Sequence, residues 1–253
     1  MAGRLHSRKA RMKDEPPTLD RSQEAPLELQ ALLRGDTRVM AAWLTHFDTR
    51  RLAWCLGVIV LGAGVFGAAV GSWRSPLQAL FAAIKLPLIV LLTTLGNALL
   101  NGMLAPLLGL NLRFRESLLA ILMSHTVAAV ILGSLCPVML FLVWNAPPLN
   151  PAMARGTLGY EFVQLVNVAA IAFAGVAANV RLVQLLEHCG GTVVARRVLF
   201  AWLAGNLFLG AQLAWNLRPF IGAPELPVAF LRPNAFEGNF FESVLFSCRR
   251  FLP

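Results

Sequence analysis

The feature that most constrains this chain is a stretch of twenty-two residues without a charge, from Leu52 to Trp73. Comparable apolar stretches recur four more times before Leu217. About 20 helical residues cross the roughly 30 Å hydrocarbon core of a bilayer, and only helices or closed barrels satisfy their backbone polar groups there. The stretches are much longer than the ~10-residue segments of a barrel strand. The sequence therefore predicts an all-α membrane protein, a bundle of five transmembrane helices.

The apolar stretches divide the chain into a polar head (1–51), a transmembrane domain (52–217) and a tail (218–253). Charged residues make up only 14% of the sequence, whereas a soluble domain carries about 25%. The net charge of +9 does not indicate nucleic acid, because most basic residues outside the head lie at the ends of apolar stretches, where anionic lipids attract them. We expect membrane lipids as partners and no nucleic acid.

Both ends of the chain are predicted to carry amphipathic helices at the membrane interface. Residues 1–24 are polar and predicted to be disordered, whereas 25–47 place apolar side chains at helical spacing, with Gly35 positioned to divide them into two short helices. Such a segment suits either the membrane surface or a partner protein. The tail has its own apolar positions at spacings of three and four: Phe236, Phe240, Val244, Cys248 and Phe251.

The predicted spans differ in their packing features. Ala63, Gly67 and Gly71 lie four residues apart in the first span, an arrangement that lets helices approach closely. Residues 75–110 are too long for one simple crossing, so we expect an outer-surface helix over about 75–85 and a span from Leu86 to Leu110. The other spans are predicted over about 117–144, 158–180 and 198–217.

The basic residues at the helix ends predict the orientation, since cytoplasmic loops carry an excess of Lys and Arg. With the head in the cytoplasm, the inner ends carry Arg50, Arg51, Arg113, Arg115, Arg181, Arg196 and Arg197. The outer ends carry Arg74, Lys85, Arg155, Arg218 and Arg232. Five spans then place the C-terminus outside. Arg outnumbers Lys nineteen to three, which suggests a GC-rich bacterial genome and therefore an inner membrane.

Few polar side chains fall inside the spans, and each has two interpretations. Lys85 either snorkels to the interface or is an intramembrane charge on a transport path. The amides and the one carboxylate either hydrogen-bond neighbouring helices or line a path for a substrate. They are Asn97 and Asn101 in the second span, and Glu161, Gln164 and Asn167 along one side of the fourth.

His125 is the candidate for cofactor binding, because a histidine within a span can ligate a haem or chlorophyll, or relay protons. The spans contain no second histidine for a bis-histidine haem site. The sequence also lacks GxSxG, HExxH, P-loop and dinucleotide-binding motifs. We therefore expect a protein that is not an enzyme, and assign it no cofactor.

The segment Lys85–Leu142, KLPLIVLLTTLGNALLNGMLAPLLGLNLRFRESLLAILMSHTVAAVILGSLCPVMLFL, resembles the Yip (Ypt/Rab-interacting) family of membrane proteins, particularly its bacterial members. The similar features are a span that opens at Pro87, a basic loop with Phe114, and a following span with Pro137 in its outer half. The resemblance implies a non-enzymatic, five-span protein with a cytosolic N-terminus. Eukaryotic members act in vesicle trafficking with Rab-type GTPases, a role that does not transfer to a bacterial chain.

The sequence predicts a non-catalytic membrane protein that is a scaffold or accessory subunit of a larger assembly. Its partner is expected to be another membrane protein or a second copy of the chain. A small transporter or channel component is an alternative, with a path on which Lys85, Gln164 and Asn167 converge. A cofactor-bearing subunit of an electron-transfer or light-harvesting complex, using His125, is another.

Overall fold

A computed structural model describes residues 21–46, 48–110, 112–149, 158–221 and 226–242, without the side chains of 21–26, 158, 160 and 161. Its regular elements are all helices: α1 (Arg21–Arg34), α2 (Thr37–Thr45), α3 (Thr49–Gly71), α4 (Pro76–Leu107), α5 (Phe114–Asn145), α6 (Leu158–Gly190) and α7 (Thr192–Leu217). The helices α3, α4, α5 and α7, with Phe162–Gly190 of α6, are long and apolar enough to cross a membrane. The predicted all-α architecture with five transmembrane helices is confirmed.

The spans form a bundle in which α4, α5, α6 and α7 each pack against the next, and α7 packs back against α4. Helix α3 lies outside this ring, against α4 and α5. The end of the bundle that carries α1 and α2 is called the head end here, and the opposite end, where the residues after α7 lie, the tail end. Small residues of α3 face α4: a Cβ added to Gly67 would lie 2.5 Å from the Ala82 carbonyl oxygen, and one on Gly71 would lie 2.7 Å from that of Gln78.

The prediction of a separate surface helix over 75–85 was wrong, because α4 continues through Pro87. Pro87 lacks the N–H that would bond the carbonyl of Ala83, four residues earlier. Gly64 of α3 lies beside that carbonyl, since a Cβ on Gly64 would be 3.1 Å from the Ala83 oxygen. Bilayer helices tolerate proline where neighbouring helices satisfy the freed group. Close approach by the Gly64 backbone is consistent with a weak Cα–H contact to that oxygen.

The head folds into two helices separated at Gly35, as predicted, and Gly35 has a φ of 73°. Asp36 caps α2 by accepting hydrogen bonds from the backbone N–H groups of Arg38 and Val39, at 3.1 and 3.3 Å. Helix α1 begins at Arg21, so the predicted disorder extended too far along the chain, and residues 1–20 lie outside the described residues.

The apolar face of the head packs on the bundle itself. Its buried side chains are Leu32, Met40, Trp43 and Leu44. They share one hydrophobic cluster with Leu119 and Met123 of α5, with Leu182, Leu185 and Leu186 of α6, and with Trp202 of α7. This face is therefore covered by the chain's own spans, whereas the sequence left it open to a lipid surface or a partner.

The tail crosses the opposite end of the bundle and then becomes helical at Phe240–Glu242. Ile221 and Ala235 are buried, whereas Phe236 is exposed. The remainder of the predicted interfacial helix, with Val244, Cys248 and Phe251, lies outside the described residues.

Candidate functional site

Asn97 and Asn101 form a hydrogen-bonded network between α4 and α7. The Asn97 Nδ2 donates to the Asn206 Oδ1 at 2.8 Å and to the Trp202 carbonyl oxygen at 3.1 Å. The Asn101 Nδ2 donates to the Asn97 side-chain and backbone oxygens at 2.5 and 2.8 Å. Gly205 permits this approach, because a Cβ there would lie 2.5 Å from the Asn97 Oδ1. Asn97 therefore bonds to a neighbouring helix, one of its two predicted roles, whereas the two bonds of Asn101 stay within α4.

His125 is held by Thr94 across the interface between α4 and α5. The Thr94 Oγ1 lies 2.7 Å from the His125 Nδ1, and also donates to the Val90 carbonyl oxygen at 2.7 Å. When the hydroxyl proton is given to that carbonyl, His125 must donate through Nδ1, which leaves Nε2 as its acceptor nitrogen. Within the described part of the chain, no three His, Cys, Asp or Glu side chains lie together as metal ligands would.

The polar residues of α6 do not join Lys85. Asn167 is buried on the same side of α6 as Val163, and its Oδ1 has no hydrogen-bond partner. Gln164 is half-buried and Glu161 lies among the undescribed side chains. Helices α4 and α6 face each other across the ring of spans and scarcely touch. The expected convergence of Lys85, Gln164 and Asn167 on one path is therefore not found among the described residues.

Lys85 instead lies in a cleft between the start of α4, the end of α7 and the tail. We call this the tail-end cleft; its cavity volume is about 20 Å³, and it is partly open to solvent. Its described lining is Arg74, Gln78, Lys85, Asn216, Leu217, Arg218, Leu226, Pro227, Ala229, Phe230 and Arg232. Lys85 is 3% exposed, because the tail covers it; snorkelling to the interface stays a prediction.

Three side chains, one before α4 and two in its N-terminal third, contact backbone carbonyl oxygens of the tail. Arg74 donates to the carbonyls of Ile221, at 2.8 Å, and Leu226. The Gln78 Nε2 donates to the Phe220 carbonyl at 2.5 Å, and the Lys85 Nζ lies 3.4 Å from that of Ala229. These bonds give the irregular, proline-containing tail some of the hydrogen-bond partners that a helix would otherwise supply.

Aromatic rings complete the site around the Lys85 ammonium. Its Nζ lies 5.7 Å from the ring centroid of Phe81 and 5.2 Å from that of Phe230, within the range of a cation–π contact. The two rings meet edge to face, with centroids 5.4 Å apart. Arg218 stacks over Trp215 at 5.0 Å on the α7 side. The cleft is thus both cationic and aromatic.

Sequence reasoning found the cations of this cleft but not the cleft itself. Arg74, Lys85, Arg218 and Arg232 were all placed at the same, outer, ends of the spans. What brings them together is the return of the tail over α4, and no periodicity in the sequence signals that return. Gln78 was missed, because a single amide in an apolar segment carries no pattern.

Comparison with family models, with curated proteins and with solved structures found no match to this chain. The likeness to the Yip family therefore stays a prediction from the residues of Lys85–Leu142.

Proposed function

We propose that this protein is a non-catalytic accessory or scaffolding subunit of a membrane assembly. In this proposal the membrane is a bacterial inner membrane, with the head in the cytoplasm and the tail end outside. The partner is another membrane protein or a second copy of the chain, and it contacts α7.

The observation that carries this proposal is that the five spans differ in how much of their surface is buried within the bundle. Within the most apolar part of each helix, 44% of residues are buried in α3 but only 11% in α7. The exposed side chains of α7 include Phe200, Leu207 and Phe208. Aromatic groups are enriched in protein–protein interfaces. Of the five spans, α7 has the smallest buried share and therefore the most surface available for a partner.

The interior polar groups support a structural role. Asn97 hydrogen-bonds to both Asn101 and Asn206, and Thr94 hydrogen-bonds to His125. Side chains engaged in this way stabilise the contacts between helices. A catalytic group must instead reach a substrate within hydrogen-bonding distance.

Site-directed photo-crosslinking in native membranes tests the proposal. A photoreactive residue at Leu207 of α7, 70% exposed, is compared with one at Leu61 of α3, 68% exposed. We expect Leu207 to give one discrete protein adduct and Leu61 to give lipid adducts alone. The mass of the adduct separates a second copy of this chain from a different subunit. Lipid adducts alone at both positions would contradict the proposal.

A further inference from the structure

We propose that the tail-end cleft binds a phosphate group, either in the headgroup of an anionic phospholipid or as free inorganic phosphate. This binding site is separate from the proposed partner surface, because the cleft uses only the end of α7, at Asn216 and Leu217, whereas the partner surface includes Phe200, Leu207 and Phe208.

The charge of the cleft is the first observation. Four of its described lining residues are cations, namely Arg74, Lys85, Arg218 and Arg232, and none of its described lining residues is acidic. Lys85 and Arg232 both line this cleft. Lys85 is the buried member of this group, and a buried cation beside a second cation loses hydration and is repelled, so a counter-charge would stabilise it.

Incompletely satisfied donors are the second observation. Lys85 is 3% exposed, and its ammonium, which has three donors, has a carbonyl partner at 3.4 Å, which is long for a hydrogen bond. The Arg232 Nε is buried and has no hydrogen-bond partner in the described structure. An anion in the cleft would satisfy both groups.

The chemistry of these donors favours phosphate. A guanidinium offers a planar pair of N–H groups that match two phosphate oxygens, and a lysine adds a compact point charge. Gln78 and Arg74 already donate to carbonyl oxygens of the tail, so Lys85 and Arg232 are left to contact the anion. The cleft is partly open, which would let a headgroup enter from the side.

The position of the cleft suits a lipid headgroup. Trp73, Trp144 and Trp215 lie near the tail-end termini of α3, α5 and α7, and tryptophans concentrate at the level of lipid headgroups. Lys85 lies nine residues after Pro76, a depth of about 13 Å along the helix, and helical side chains lean toward the N-terminus. Its ammonium is thereby drawn toward the phosphate layer, where each cation strengthens attraction to anionic lipid.

Native mass spectrometry of the delipidated full chain, titrated with phosphatidylglycerol, tests the lipid source. The variants are Arg232→Gln and Lys85→Gln, and the control is Arg197→Gln, which removes an exposed cation at the head end. We expect about fivefold weaker binding of the first lipid in each cleft variant and no change in the control. Equal loss in all three variants would mean attraction by net charge and would overturn a site in the cleft.

The free anion is tested in lipid-free detergent by ³¹P NMR of inorganic phosphate at constant ionic strength. Broadening by the wild-type chain that Arg232→Gln abolishes and Arg197→Gln preserves would identify free phosphate as the ligand. Arg232→Gln keeps the test valid if Lys85→Gln fails to fold. Neither saturable lipid binding nor broadening in the wild type would overturn the proposal.

A third variant, Glu225→Gln, addresses the acidic residue that precedes Leu226 in the sequence. We expect this variant to bind phosphate or lipid as well as the wild type or better, because it removes a negative charge. Binding that appears only in Glu225→Gln would show that the chain supplies its own counter-ion, and the proposal would fail.

Discussion

Gln78 and Phe220 are joined across the tail end of the bundle, where the Gln78 Nε2 donates to the Phe220 carbonyl oxygen at 2.5 Å. Gln78 is itself buried, so this bond lies beneath the tail. It marks where the chain stops being helical and continues as an irregular segment. The tail depends on α4 for hydrogen-bond partners, and α4 depends on the tail to cover its polar side chains.

Gln78→Met should loosen the tail while it preserves the bulk of the side chain. Loss of one intramolecular hydrogen bond costs about 1 kcal/mol, which corresponds to roughly fivefold faster amide exchange if the tail opens locally. Hydrogen–deuterium exchange of peptides that cover residues 226–242 measures this. Leu77→Met, at an exposed neighbour, is the control and should leave the exchange unchanged. Equal exchange in both variants would show that the bond does not hold the tail.

Gly62→Ala should destabilise the contact of α3 with α5. A Cβ at Gly62 would overlap the backbone carbonyl of Ala129, whereas one at Gly57 would meet nothing within 4 Å. Overpacking of this kind costs about 1–3 kcal/mol, so we expect a lower unfolding temperature for Gly62→Ala. Gly57→Ala is the matched control and should match or exceed the wild type, because alanine is the better helix former. A stable Gly62→Ala chain would contradict the close approach.

The docking of the head can be tested with two leucines of α1. Leu32 is 1% exposed and Leu27 is 48% exposed. Leu32→Ala should lower the free energy of unfolding by about 2–5 kcal/mol, because it leaves a cavity in a packed core. Leu27→Ala should have little effect. Thermal unfolding in detergent measures both, and similar losses in the two variants would argue against a docked head.

The contact of α4 with α7 should show coupling between Asn97 and Asn206. A double-mutant cycle with leucine at each position is expected to give about 0.6 kcal/mol, the average for such bonds in a bilayer, and at most about 1.7 kcal/mol. Asn179 is the control position, because its Nδ2 donates to Gly175 within the same helix. A cycle between Asn97 and Asn179 should give no coupling. Equal values in the two cycles would remove the specific role of the network.

Much of the fold could be read from the sequence because its determinants are local. An uncharged helical stretch such as Leu52–Trp73 matches the bilayer thickness whatever surrounds it. Gly35 divides the head because only its own backbone has to adopt a positive φ, 73° in the structure. The predicted break at Pro87 was wrong because its determinant is not local. The freed carbonyl of Ala83 lies against Gly64, which belongs to a different helix.

By itself, the sequence determined that five helices cross the membrane, and which side chains are able to bond between them. The tertiary structure alone decided which of those groups meet. Asn97 and Asn206 are 109 positions apart, and Lys85 meets Ala229 144 positions further on. Such pairs carry no periodicity, because they depend on how the helices pack and where the tail returns. The apolar face of the head and the cations of the tail-end cleft acquire their surroundings only in the folded chain.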